Sequence, residues 1–420
     1  MPNLPPPPDS GTATGTGVAA ALAGLSHAST RLHPDEIPAV AAAEATKLGV
    51  TEFAIYLVDL EQRALVPFQA TGDPAATSLA VDGTMAGRAY RLEQPVVMRA
   101  EEGCPDGGTP GGLAAWLPLL DSAERLGVVH VRVRSDALDP VADCLAFCNL
   151  LGEIIANKSS YGDVVAATRR TQELTIGAEL RWSVLPPLTF TGRNFTVSGI
   201  LEPAYAIAGD TFDYAVNGDT AHVAIIDAVG HGLEAARIAN LAVASYRHSR
   251  RRGLDHVQTY YAMDAALAAQ LGWEKFATAQ LATLTLSTGR LCWLNAGHPP
   301  PLVVRQGHTF DLTAEACLPV GLAYALAAEA EVSEVYLEPD DVVLFFTDGV
   351  VEARSADGEQ FGRDRLADLM VRTTAGAQTP AETMRLLGHA VLGHQVGGLE
   401  DDATLLVLAW HGPPTDGSGA

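Results

Sequence analysis

Between residues 188 and 411 the chain repeats one pattern: a short apolar run, a tight polar turn, another apolar run. FTVSGILEPA, HVAIID, LATLTLS, RLCWLNAG, PLVVRQ, VSEVYLE, DVVLFFTDG and ATLLVLAW all read as strands. Ser287-Thr288-Gly289-Arg290 and Glu338-Pro339-Asp340-Asp341 carry the turn residues that close hairpins. Longer runs of helical period fall at Leu233 to Arg247, Leu254 to Leu271, Gly362 to Arg372 and Pro380 to Leu392. Hairpins in succession, interrupted by helices, predict an α+β fold: an antiparallel β-sandwich flanked by helices.

Upstream the pattern differs. Residues 23–137 predict a smaller α+β domain, with a helix from Ile37 to Leu48, strands FAIYLVD and ALVPFQA, then PVVM, GLAAWLPLL and LGVVHVRVR. The order helix, strand, strand, followed by WLPLLDSAERLGVVHVRV, resembles a GAF-type sensory domain. Residues 138–187 have few turn residues except at Lys158 to Gly162, and read as two helices forming a connector that ends at Pro186-Pro187. Its apolar faces, marked by Leu150, Leu151, Ile154, Ile155, Val164, Val165 and Leu180, suit pairing with a second copy in a homodimer. Residues 1–22 and 412–420 are rich in Pro, Gly and Thr or Ser and read as disordered ends.

Length and charge narrow the picture. At 420 residues the chain needs more than one core, and 48% apolar residues supply them. Fifty acidic residues against 27 basic give a net charge of −23, which disfavours nucleic acid or an anionic membrane as partner. Cys104, Cys144, Cys148, Cys292 and Cys317 are odd in number and lack a paired zinc spacing, which suits a reduced cytoplasmic chain. Cys144 and Cys148, one helical turn apart, read as small buried hydrophobes. No membrane-spanning run is expected.

Candidate chemistry sits at the strand ends. Asp210 in IAGDTFDY, Asp227 in IIDAVGHG, Asp348 in FFTDGVVEA and Asp401 in GLEDDATLLV are each bounded by glycine or a polar turn. One such carboxylate is ordinarily just solvated, but four in one domain form a candidate site for hard divalent cations, which take oxygen ligands. Two such ions sharing a carboxylate can acidify a water for attack on phosphorus and neutralise the phosphoryl oxygens. No GxSxG elbow, GxxxxGK[ST] loop or HExxH helix is present to anchor a rival mechanism. His231 and His298 each follow a glycine in a turn, where structural hydrogen bonding is favoured over an acid role.

In this order, AGDTFDY, IIDAVGHGLEAA, LNAGHPPPLVV, FFTDGVVEAR and EDDATLLVL closely resemble the bacterial SpoIIE-like branch of the PPM-type (type 2C-like) serine/threonine phosphatases, with RWSVLPP as a typical lead-in. The resemblance implies a PPM phosphatase fold over 188–411 and a centre of two Mn²⁺ or Mg²⁺ ions. It places Asp227 as the bridging ligand, Ala228 through its backbone carbonyl and Asp210 at the first ion, Asp348 and Asp401 at the second, and Asp402 in the outer sphere. Gly230, Gly232 and Gly349 would let their turns pass close to the ions. The chain departs from the family's Gly-Gly-Asp with Ala208-Gly209-Asp210, and Thr211 stands where an aromatic residue is common. With the aspartates intact, the resemblance implies an active hydrolase acting on phosphoserine or phosphothreonine of a STAS-type anti-anti-sigma protein, governed by the GAF-like sensor. The rival reading is a non-catalytic module that binds a phosphoprotein.

Overall fold

The computed structural model describes residues 13–70, 76–99, 112–134, 139–207, 209–272, 274–323, 329–395, 399 and 401–413. The chain divides into two compact units, Met1–Thr171 and Gln172–Ala420.

The first unit is built on an antiparallel sheet whose strands lie in the order Leu79–Ala80, Ala64–Phe68, Val50–Val58, Glu124–Val133, Leu113–Asp121, Val96–Arg99. Both faces are covered, so the central strands are apolar on both sides. Val129 and Val131 point with Ile55, Leu57, Leu117 and Leu119 into a core shared with helix Pro140–Lys158, while Val128, Val58 and Leu65 pack with Ala86, Ala89 and Tyr90 of helix Met85–Leu92.

Three expectations for this region need correction. A helix, Ala13–Ser29, runs through part of the stretch read as a disordered end, because alanine-rich sequence favours helix and Ala21 and Leu25 are fully buried one turn apart; residues 1–12 lie outside the described residues. The stretch read as a two-helix connector does break after Lys158, as expected, but holds three helices and does not lie between the two units. The unit boundary cuts it at Thr171, helices Pro140–Lys158 and Val164–Arg169 belong to the first unit, and Phe147, Cys148, Leu151, Ile154 and Ile155 are spent on that unit's own core. Helix Ile176–Trp182 belongs to the second unit. Finally, Pro140–Tyr161 is long and apolar enough in composition to meet the criterion for a membrane span, although its apolar side chains are engaged in the sheet's core. There Cys144 and Cys148 behave as the expected small hydrophobes, burial pushing the Cys144 thiol up to about 12.

The second unit is a four-layer sandwich. One sheet orders Asp210–Asn217, Thr220–Ala228, Ala277–Thr285 and Arg290–Ala296 side by side, with Ala316–Cys317 and Ser333–Tyr336 pairing with the last. The other orders Thr189–Thr191, Phe195–Glu202, Ala403–Trp410, Asp341–Phe346, Leu302–Arg305 and His308–Asp311. Val223, Ile225, Phe212, Phe345, Leu406 and Leu408 fill the space between the sheets. The alternate residues face outward: Ala224 and Ile226 under helices Gly232–Arg251 and His256–Leu271, and Leu344, Phe346, Leu405 and Val407 under helices Arg363–Ala375 and Pro380–His394. Strands buried on both faces explain the unbroken apolar runs of the sequence. The expected α+β sandwich flanked by helices is therefore present. The sequence pattern omitted short elements such as Asp348–Glu352, a single helical turn read as the end of a strand.

Candidate metal centre

The site is assembled where chain ends of both sheets meet. Asp210 opens one strand and Asp227 lies near the end of the next, and the antiparallel register sets the two directly opposite each other. Thr278 flanks Asp227 on its other side. From the second sheet, strand Asp341–Phe346 delivers Thr347 and then Asp348, the first residue of a short helix. Strand Ala403–Trp410 is preceded by Asp401 and Asp402.

Hydrogen bonds tie these segments together. Thr347 donates its hydroxyl to Oδ2 of Asp210 at 2.6 Å, and the same oxygen of Thr347 accepts the amide of Thr404 at 2.9 Å. Oδ2 of Asp402 accepts the amides of Gly209 at 2.7 Å and Asp210 at 3.3 Å, while Oδ1 of Asp401 accepts the amide of Asp402 at 2.9 Å. The turn after Asp348 lies flush against this loop: a Cβ at Gly349 would fall 2.0 Å from the Asp402 carbonyl, so only glycine fits. At Gly230 and Gly232 nothing crowds the missing side chain. Those two take positive φ, 97° and 65°, while tight backbone packing is found at Gly349 and at Gly209, whose Cβ would sit 2.8 Å from the Ala228 carbonyl.

The electrostatics are those of crowded, buried carboxylates. Burial raises Asp210 well above the usual carboxylate range, and the charges of Asp227 and Asp402 push it further. Asp227 is pushed up to about 7, first by burial and then by Asp348 and Asp401. Asp348 is raised by burial and by Asp401. All the sequence-derived acidic positions thus act on one another, through a chain that runs from Asp402 and Asp210 to Asp227 and on to Asp348 and Asp401.

The donors fit a hard divalent ion in kind: carboxylates and the Ala228 carbonyl, with no sulfur or imidazole among them. Among the described residues no three His, Cys, Asp or Glu side chains are gathered tightly enough to hold an ion by themselves. Mg²⁺-like ions typically take one or two carboxylates and keep several waters, so they do not require a closed protein cage.

His298 is not a candidate acid. It is buried, its Nδ1 lies 2.7 Å from the Thr278 hydroxyl, its amide donates to Asn295 Oδ1 at 2.8 Å, and burial pushes the imidazole down to about 3. His231 is exposed at the start of helix Gly232–Arg251. Ala208 lies outside the described residues. Sequence reasoning missed Thr347 and the hydrogen-bonding role of Asp402; the only trace of the first was a hydroxyl residue immediately before Asp348.

Residues 217–411 match the family described as Stage II sporulation protein E (SpoIIE). The chain is 24% identical over 269 residues to Protein IcfG of Synechocystis sp., covering 56% of this chain and 41% of that protein, so it spans less than half of that relative. It is 23% identical over 240 residues to the phosphoserine phosphatase RsbU of Bacillus subtilis, covering 56% of this chain and 69% of that protein. Among solved structures, the SiaA-PP2C domain of Pseudomonas aeruginosa overlays with a TM-score of 0.47 at 21% identity, covering 56% of this chain and 94% of that one. The ordered aspartate motifs, the sandwich that carries them and the match over residues 217–411 agree in likening this segment to the SpoIIE family.

Proposed function

We propose that this chain is a metal-dependent protein serine/threonine phosphatase that removes phosphate from phosphoserine or phosphothreonine of a signalling partner. One observation carries the reading: Asp210 and Asp227 stand opposite each other across a strand pair, and Asp348 and Asp401 bring their charge onto Asp227 from the other sheet. Asp210, Asp227, Asp348, Asp401 and the Ala228 carbonyl are the groups that would hold Mn²⁺ or Mg²⁺. When bound, such ions supply an acidified water and neutralise the phosphoryl oxygens. The protein's own part is positional. Thr347 fixes Asp210, Asp402 fixes the Gly209–Asp210 turn, and Gly349 keeps the Asp348 turn against the Asp401–Asp402 backbone.

The proposed partner is a phosphorylated STAS-type anti-anti-sigma protein in the cytoplasm, as the motif resemblance implies; the RsbU relative, a phosphoserine phosphatase by name, supports a phosphorylated protein as substrate. The antiparallel sheet of the first unit, wrapped by helices on both faces, supports a GAF-like sensor that regulates the phosphatase. A homodimer is part of the same proposal.

The test is hydrolysis of an aryl phosphate and of a phosphoserine peptide with and without Mn²⁺. Mn²⁺-dependent turnover that disappears in Asp227→Asn and Asp348→Asn is the expected result. The rival reading is a non-catalytic module that binds a phosphoprotein. Turnover absent in the unaltered protein, or unaffected by those substitutions, would decide for it.

A further inference from the structure

Arg181 is the most anomalous polar side chain in the second unit. It is completely buried in helix Ile176–Trp182, yet among the described residues no atom accepts a hydrogen bond from any of its three guanidinium nitrogens. A buried arginine normally has its donors satisfied, since desolvation of the charge is otherwise uncompensated.

Its place in the fold suggests what compensates it. The helix that carries it is fastened to the segment leading into Asp210: Thr175 donates its amide to the Tyr205 carbonyl at 3.0 Å, and Trp182 donates Nε1 to the Ala204 carbonyl at 2.8 Å. The same helix packs on Gly232–Arg251, which follows Asp227. Burial brings the guanidinium down to about 10, still cationic at neutral pH, and the charges that favour its ionisation are Asp402 first and Asp210 after it. Asp402 in turn holds the Gly209 and Asp210 amides on one carboxylate oxygen.

We propose that Arg181 is a positioning residue of the metal centre, a buried cation delivered by the helix ahead of the domain that holds the Asp402 carboxylate in its seat on the Gly209–Asp210 turn. The proposal rests on the phosphatase reading and extends it to a residue that never touches substrate. Without the guanidinium the buried cation on this side of the Asp402 carboxylate is gone, its seat on the turn weakens, and Asp210 loses its fixed direction. The residue acts through the Asp402 carboxylate, so its effect should vanish when an amide replaces that carboxylate.

The experiment measures Mn²⁺ binding to the full chain by electron paramagnetic resonance of the free ion, alongside turnover at saturating Mn²⁺. Arg181→Met should weaken Mn²⁺ binding about tenfold, the scale typical of groups that orient metal ligands, with a smaller loss in the saturated rate. Arg181→Lys should recover most of the affinity. In an Asp402→Asn background, Arg181→Met should cost nothing further, because the two changes break one interaction. Wild-type Mn²⁺ binding in Arg181→Met, or losses that add in the double variant, would overturn the proposal. Arg181→Gln removes the charge but keeps polarity and shape; wild-type binding in that variant overturns the proposal even if Arg181→Met fails to fold. Failure of the unaltered protein to bind Mn²⁺ would strike at the phosphatase reading itself, whereas normal binding that none of these variants alters removes only the role of Arg181.

Discussion

The hydroxyl of Thr347 and the carboxylate of Asp210 meet at 2.6 Å across the gap between the two sheets of the second unit. Each residue sits at the end of a strand in a different sheet, and Thr347 also accepts the amide of Thr404 on its own sheet at 2.9 Å. Thr347 therefore joins the two halves of the acidic site, beside the bonds from the Gly209 and Asp210 amides to Asp402.

Replacing that hydroxyl with a methyl tests the strut. Thr347→Val keeps the volume but leaves the buried Thr404 amide without its acceptor and Asp210 without its donor. A loss of stability of roughly 1–3 kcal/mol is expected, together with an Mn²⁺ requirement raised by about one order of magnitude. Thr347→Ser should retain most of both. Thermal denaturation and an Mn²⁺ titration of activity read the two effects separately, and a Val variant with unaltered Mn²⁺ dependence would remove Thr347 from the site.

That strut also marks where the sequence stops being readable. The strands Asp341–Phe346 and Ala403–Trp410 announce themselves because both faces are buried and every position but Asp341 and Thr404 is apolar. The aspartates at their ends are legible because turns and glycines frame them. Thr347 and Arg181 are not legible, since a threonine before a turn and an arginine in a helix are ordinary until tertiary structure buries them. The apolar period of Pro140–Lys158 shows that the helix must bury a face but not against which element, so its membership of the first unit's core was hidden.

Stability of the metal-free protein should depend on pH in the direction opposite to an ordinary ion-paired carboxylate. Asp227 is raised to about 7 in the folded chain, against roughly 3.9 for a free aspartate. Between those values the folded state binds more protons than the unfolded one, so stability falls as pH rises through that window. In EDTA the melting temperature should therefore decline from pH 5 to pH 7, and Asp227→Asn should remove part of the slope. Saturating Mn²⁺ should reverse it, because metal and protons compete for the same oxygens. A slope in EDTA that Asp227→Asn leaves unaltered would show that Asp227 does not carry the raised affinity for protons.

Gly349 offers a steric test of the contact between the two loops. A methyl there would lie 2.0 Å from the Asp402 carbonyl, which is backbone and cannot step aside alone. Gly349→Ala should displace the Asp401–Asp402 segment, with a cost on the scale of overpacking, about 1–3 kcal/mol, and a marked loss of Mn²⁺ binding. Gly230→Ala, where nothing stands within 4 Å, should perturb the turn only through its φ of 97° and cost less metal affinity. Equal losses of Mn²⁺ binding in the two variants would argue against the loop contact.

The placement of helix Pro140–Lys158 gives the last test. If that helix were chiefly a pairing surface for a second copy, truncating its apolar residues would alter association and leave each unit's own stability alone. The structure assigns it differently: Phe147 is buried and meets Phe53 of the first unit's sheet edge-on, with ring centroids 6.1 Å apart and an interplanar angle of 88°. Phe147→Ala removes an aromatic ring from a packed core, a change that costs about 3–5 kcal/mol. Calorimetry of the full chain should show the transition of the first unit falling while that of the second stays in place. Sedimentation run in parallel separates the alternatives, because a variant with an unchanged first transition but a shifted association equilibrium would return this helix to the role of a dimer seam.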